Sequence, residues 1–244
     1  MNTVPLLLLA ILGVVLVTGF IMMVFLISFN RRNLALNEWS RRTEAFLSAH
    51  TVPAPRPETW LAVRLQHPDA VQRALGMKKA TPCSWSEALA GDHQWFIGPQ
   101  IDGWIIITGT GIPNPDDDVD RCYHFLLSLS RKLGHVQFFH MDPLLQHHAW
   151  VRVEAGTVLR GYAWTGHTVW NQGRFTAAEA ELGLKCFDYG DGGDSNESNF
   201  VDRMIANVDK VPLLASRWSL DPGRIGMDLA EKGKGLAGGS APIA

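Results

Sequence analysis

The chain predicts an α+β fold: a single N-terminal transmembrane helix followed by one compact domain with a mainly antiparallel sheet and flanking helices. Three observations carry this expectation. Residues 4–29 contain no charged side chain. Two apolar runs flank Ala155-Gly156 and read as an antiparallel hairpin. Helical patterns are scattered among the strands instead of alternating strictly with them, which disfavours a doubly wound sheet.

Leu, Val, Ile, Phe and Met dominate residues 4–29, a run long enough to cross a hydrocarbon layer of ~30 Å with some tilt. No basic segment precedes it, and it exceeds the ~7–15-residue apolar core of a signal peptide. No clean small-x-small cleavage site follows, so residues 1–30 are expected to stay as an anchor in contact with the lipid bilayer. Arg31, Arg32, Arg41 and Arg42 follow the run, whereas Met1-Asn2-Thr3 precedes it. The positive-inside rule then sets the N-terminus outside and the C-terminal domain in the cytoplasm, at a plasma (inner) membrane. In that orientation the sequon Asn196-Glu197-Ser198 is silent.

Residues 31–57 read as a juxtamembrane helix and a Pro-rich linker. The helical part carries Leu34, Trp39, Phe46 and Leu47 among arginines, either as a surface-hugging stalk or as a plain extension of the anchor. Pro53, Pro55 and Pro57 then impose an extended, semi-stiff spacer. Residues 58–222 form the α+β domain. Residues 223–244 are rich in Gly, Ala and Lys without an apolar period, and are expected to be a disordered tail.

Within the domain, residues 60–65 read as a strand and residues 67–77 as a short helix opened by Pro68 and Asp69, with Val71, Ala74 and Leu75 on one face. Ser84-x-x-Glu87 is a capping box, opening a helix to about Ala90. Residues 95–97 and 104–108 suit a hairpin. The strongest helix covers residues 118–133: Val119, Cys122, Tyr123, Leu126, Leu129 and Leu133 recur at helical spacing. Asp116 to Asp118 lie at its positive end, Arg131 and Lys132 at its negative end, and Gly134 stops it. Strands follow at residues 136–140, 147–154 and 157–165. A two-residue loop would set Trp150 opposite Gly161, its ring covering the missing side chain. Another short strand ends at Trp170, Thr176-x-x-Glu179 caps a helix to Leu182, and residues 199–208 suit a further helix.

The order Trp150-x-Arg152, Arg160-Gly161-Tyr162-Ala163-Trp164, Trp170-Asn171-x-Gly173, Thr176-x-x-Glu179 and Trp218-Ser219-Leu220-Asp221-Pro222 resembles a family of uncharacterised bacterial proteins. The likeness covers residues 95–222. It implies a bacterial single-domain protein, and it brings no activity with it.

Composition narrows the chemistry. The 244 residues hold 22 basic and 24 acidic side chains, a formal charge of -2, which disfavours nucleic acid as a partner. Cys83, Cys122 and Cys186 are odd in number and widely spaced, so they frame neither a disulfide scaffold nor a zinc knuckle and fit a reducing compartment. Gly109-x-Gly111 starts a dinucleotide fingerprint but meets Asn114 where the third glycine belongs, and Asp116, Asp117, Asp118 and Asp120 would repel a pyrophosphate. Asp188, Asp191, Asp194 and Glu197 are spaced by three and not by the two of a calcium loop, so a solvated loop is expected. His135, His140, His147 and His148 lie close in sequence to Cys122 and His124, yet His147 and His148 point to opposite faces of a strand and cannot share an ion without a bulge. Nucleophile signatures such as G-x-S-x-G and H-E-x-x-H do not occur. No cofactor or metal site is assigned and the catalytic residues are unknown.

The sequence therefore points to a membrane-tethered cytoplasmic interaction module with a protein partner, of adaptor or immunity-like type. Two alternatives stand beside it: an anchored enzyme using His148 or His124 with a carboxylate, and an accessory subunit of a larger membrane complex.

Overall fold

The computed structural model describes residues 56–65, 67–190, 207–223 and 233–240. The run 4–29, the arginines after it and most of the Pro-rich linker lie outside these residues. Among the described residues no helix is long and apolar enough to cross a membrane.

Among the described residues nine strands form one sheet in the order β2-β9-β3-β4-β1-β5-β6-β7-β8. They are β1 (Thr59–Arg64), β2 (Met77–Cys83), β3 (Trp95–Ile101), β4 (Trp104–Thr108), β5 (His135–Asp142), β6 (His147–Glu154), β7 (Thr157–Trp164), β8 (Thr168–Gly173) and β9 (Gly235–Ser240). Every neighbouring pair is antiparallel. The helices are α1 (Pro68–Ala74), α2 (Trp85–Ala90), α3 (Val119–Leu133), α4 (Ala177–Glu181) and α5 (Val211–Trp218), with a 3-10 turn at Asn207–Lys210. The α+β reading holds: a mainly antiparallel sheet with flanking helices.

Helices cover both faces, which explains the nearly unbroken apolar strands. On one face Leu61, Val63, Ile105, Ile107, Phe138 and Val151 pack under α1 and α3 through Val71, Cys122, Leu126 and Leu129. On the other, Trp60, Phe96, Phe139, Trp150 and Tyr162 pack under α2 and α5 through Trp85, Val211 and Leu214. A sheet wetted on one side would alternate polar and apolar residues. Here β1 is buried at four consecutive positions.

Local signals held where they were self-contained. Ser84 and Thr176 both make complete capping boxes, with Glu87 and Glu179. Asp118 caps α3 by accepting from the Arg121 amide at 2.9 Å, and Gly134 ends that helix at φ 81°.

Three expectations change. The tail reading of residues 223–244 fails at Gly235–Ser240, which inserts as β9 between β2 and β3. Glycine is required at its first position, because a Cβ on Gly235 would fall 2.4 Å from the Ile97 carbonyl oxygen. Met77, expected to close a helix, opens β2 instead. Trp150 pairs with Tyr162 and not with Gly161, because an irregularity between Arg152 and Val153 shifts the register by one. The ring over Gly161 belongs to Trp170, 2.8 Å from where a Cβ would stand. The helix expected over residues 199–208 falls mostly outside the described residues, while α5 follows it unannounced.

Candidate functional site

The irregularity in the β6–β7 ladder, where Leu159 of β7 is the extra residue, decides what faces α4. With the register shifted, Arg160, Tyr162 and Trp164 of β7 share the face of Trp150. Glu179, third residue of α4, meets them from above. One carboxylate oxygen accepts from the Thr176 amide at 2.6 Å, completing the capping box. The other accepts from Trp150 Nε1 at 2.7 Å and from Arg160 Nε at 2.8 Å. A residue chosen locally as a helix cap is therefore also the counter-ion of a buried arginine.

Arg160 is 2% exposed. Its Nη1 donates to the carbonyls of Gly161 and Gln172 and to Asn171 Oδ1, and its Nη2 donates to Cys186 Sγ at 3.0 Å. The guanidinium lies over the rings of Tyr162 and Phe175, at 5.8 and 6.0 Å.

Beside this network opens a cleft of about 600 Å³ lined by Arg160, Asn171, Phe175, Leu184, Cys186 and Phe187, among others. Phe175 is half exposed at its mouth. Tyr189, also exposed, lies across the outer edge of β8, its hydroxyl accepting from the Asn171 amide at 2.7 Å. Burial pushes the Cys186 thiol up to about 12, with Arg160 opposing and Glu179 adding to the rise. The thiol is thus protonated and a poor nucleophile. The cleft joins a rigidly held polar floor to apolar walls.

A second polar cluster lies on the opposite face, at the N-terminal end of α3. Asp116 Oδ2 lies 2.7 Å from His147 Nδ1 and 3.4 Å from His140 Nε2, while His140 Nδ1 pairs with Thr59 Oγ1 at 2.8 Å. Burial would raise the Asp116 carboxyl, but His140 and His147 outweigh it and hold it below the usual range. Two buried atoms here, Asp116 Oδ1 and His140 Nε2, make no aligned hydrogen bond. Among the described residues no three His, Cys, Asp or Glu side chains are arranged to hold a metal ion.

The other candidates separate cleanly. His148 takes the face opposite His147, as its strand position requires. It bonds the Gln146 carbonyl and Asn207 Nδ2 and stacks on Trp150 at 5.6 Å. Burial pushes it down to about 4, so it is a neutral core residue. His124 is exposed on α3 with its ring against Tyr123. The carboxylate expected beside His148 or His124 is found instead with His140 and His147. His135 bonds Gln137, and Cys122 lies in the core, raised to about 12 mainly by burial. Gly109, at φ 135°, lets its loop lie against β3, where a Cβ would come 2.4 Å from the Gln94 carbonyl oxygen; this is the turn expected of it. Asp191, Asp194 and Glu197 lie outside the described residues.

The cleft was not anticipated. Its one local trace was Glu179 in a capping box, and nothing in the sequence paired that residue with Arg160. Compared with family models, curated proteins and solved structures, the chain matches none, so this geometry is what a functional reading has to rest on.

Proposed function

We propose that the chain is a single-pass protein of a plasma (inner) membrane, N-terminus out, whose cytoplasmic domain binds a segment of a protein partner in the cleft beside β8. The observation that carries this reading is the cleft itself. Arg160 is held at its floor by Glu179, Asn171 and Cys186, and the half-exposed Phe175 stands at its mouth. An exposed aromatic ring over a cleft whose polar floor is held rigid is the composition of a protein-recognition surface. The membrane half of the reading is supported by the uncharged run 4–29 and the arginines after it. Anchoring would raise the domain's effective concentration near membrane-bound partners.

Photocrosslinking tests the cleft in native membranes. A benzoylphenylalanine replacing Tyr189 is expected to give one adduct of defined mass, weakened about tenfold by Phe175→Ala if that ring is an anchor. The same probe at Lys132, on the far face, is expected to give none. Equal adducts at both sites, or an adduct indifferent to Phe175→Ala, would overturn the reading. An adduct to an integral membrane protein would favour the accessory-subunit version. A reporter fused to the C-terminus tests orientation: activity confined to the outside would reverse the topology.

A further inference from the structure

The β5–β6 hairpin ends in residues 143–146, and its turn is specified without help from its two leucines. Asp142 Oδ1 accepts from the amides of Leu144 and Leu145 at 2.8 and 2.9 Å. Gln146 takes the left-handed conformation at φ 59°, and its side chain donates to the Pro143 carbonyl at 2.6 Å. Any polar pair would serve between them, yet Leu144 is 90% exposed and Leu145 58%. Paired apolar side chains on a stiff turn, held away from the core, mark a contact with something apolar.

The path of the chain narrows what that could be. β1 starts where β5 ends: Thr59 pairs with His140, and the Met141 amide donates to the Glu58 carbonyl at 2.9 Å. The chain therefore enters the sheet, at Glu58 and Thr59, at the end from which the hairpin tip projects; the uncharged run 4–29 precedes that entry in sequence. Between Met141 and His148 there is no Lys or Arg, so the tip offers hydrophobic contact and no attraction to anionic headgroups.

We propose that Leu144 and Leu145 form a shallow lipid contact that seats the anchored domain on the bilayer surface. The proposal rests on the membrane reading above. Insertion of this kind reaches about 5–10 Å into the boundary between headgroups and acyl chains.

The full chain in phosphatidylcholine nanodiscs, with acyl chains brominated near the headgroup, tests it. A genetically encoded dansyl residue is introduced singly at Leu144, at Leu16 within the apolar run, and at Glu154, the opposite end of β6. Bromine quenching is expected at positions 144 and 16 and not at 154, and is expected to be unchanged when anionic lipid is added. Quenching at 16 without 144 overturns the tip contact and leaves the anchor standing. Quenching at neither overturns both. A blue-shifted emission at 144 without bromine quenching means that protein covers the tip, which also overturns the proposal. Leu145→Ser is expected to halve the quenching at 144 or more, and no change would count against insertion.

Discussion

Each face of the sheet buries a carboxylate against nitrogen donors, and the two clusters differ in how completely they are satisfied. Glu179 accepts from Thr176, Trp150 and Arg160, and Arg160 spreads its remaining donors over three oxygens and a sulfur. Asp116 shares one oxygen between His140 and His147 and leaves the other without a hydrogen bond. A saturated network in a dry interior fixes one geometry and is expensive to break. An unsaturated one leaves a polar atom without its partner and holds its geometry less firmly. The saturated cluster forms the floor of the cleft; the unsaturated one ties the loop before α3 to the sheet.

The largest expected effect follows from saturation. Glu179→Ala leaves Arg160 charged at 2% exposure and removes the partner of Trp150 and a helix cap, at a cost of about 3–5 kcal/mol. Urea denaturation measures it. Replacing both partners with apolar residues, Arg160→Met with Glu179→Leu, is expected to recover most of that loss, because the charges' desolvation is removed along with their attraction. A double variant as unstable as the single one would show that shape, and not the unpaired charge, sets the cost.

Acid gives the next effect. His148 is neutral in the fold and held down to about 4 by burial, so between about pH 6.5 and that value the unfolded chain binds more protons than the folded one. Stability is therefore expected to fall as pH is lowered through this window, by up to roughly 3 kcal/mol in all. His135 is lowered as well, first by burial and then by Arg152, and adds in the same direction. Denaturation midpoints measured from pH 7 to 4 should decline in the wild type and flatten in His148→Gln. A wild-type profile without slope would refute the burial of a neutral imidazole.

These two effects also mark what the sequence disclosed. Helix α3 was legible because period, acidic cap, basic end and stop glycine all agreed within one segment. The capping boxes were legible for the same reason, each needing only four residues. Pairings across the fold were not. Glu179 meets Arg160 only after the register shift between Arg152 and Val153, and no residue there announces an irregularity. Strand β9 was hidden because Gly235, Gly238 and Gly239 lack strand propensity, and at Gly235 the sheet leaves no room for a Cβ. Strand β2 was hidden because Lys78, Lys79, Thr81 and Pro82, a proline tolerated at a sheet edge, replace apolar alternation. Opposite faces for His147 and His148 followed from strand alternation alone, whereas Asp116 was legible only as an acidic helix start.

The smallest effect isolates that residue. Asp116 Oδ2 contacts two histidines, and Asn at this position keeps an oxygen while losing the charge, so Asp116→Asn is expected to cost about 1–2 kcal/mol near pH 6. The carboxyl lies below its ordinary value, burial being outweighed by His140 and His147. The stability it contributes is therefore present above the usual carboxylate pKa and is lost as pH falls through its own lower one. The gap between wild type and variant should persist above about pH 4 and narrow below it, under the His148 window. Combining Asp116→Asn with His147→Gln in a double-mutant cycle gives the coupling directly. A coupling near zero would mean that the 2.7 Å contact is incidental to holding the loop before α3; a coupling of about 1 kcal/mol would make it a working tie between that loop and the sheet.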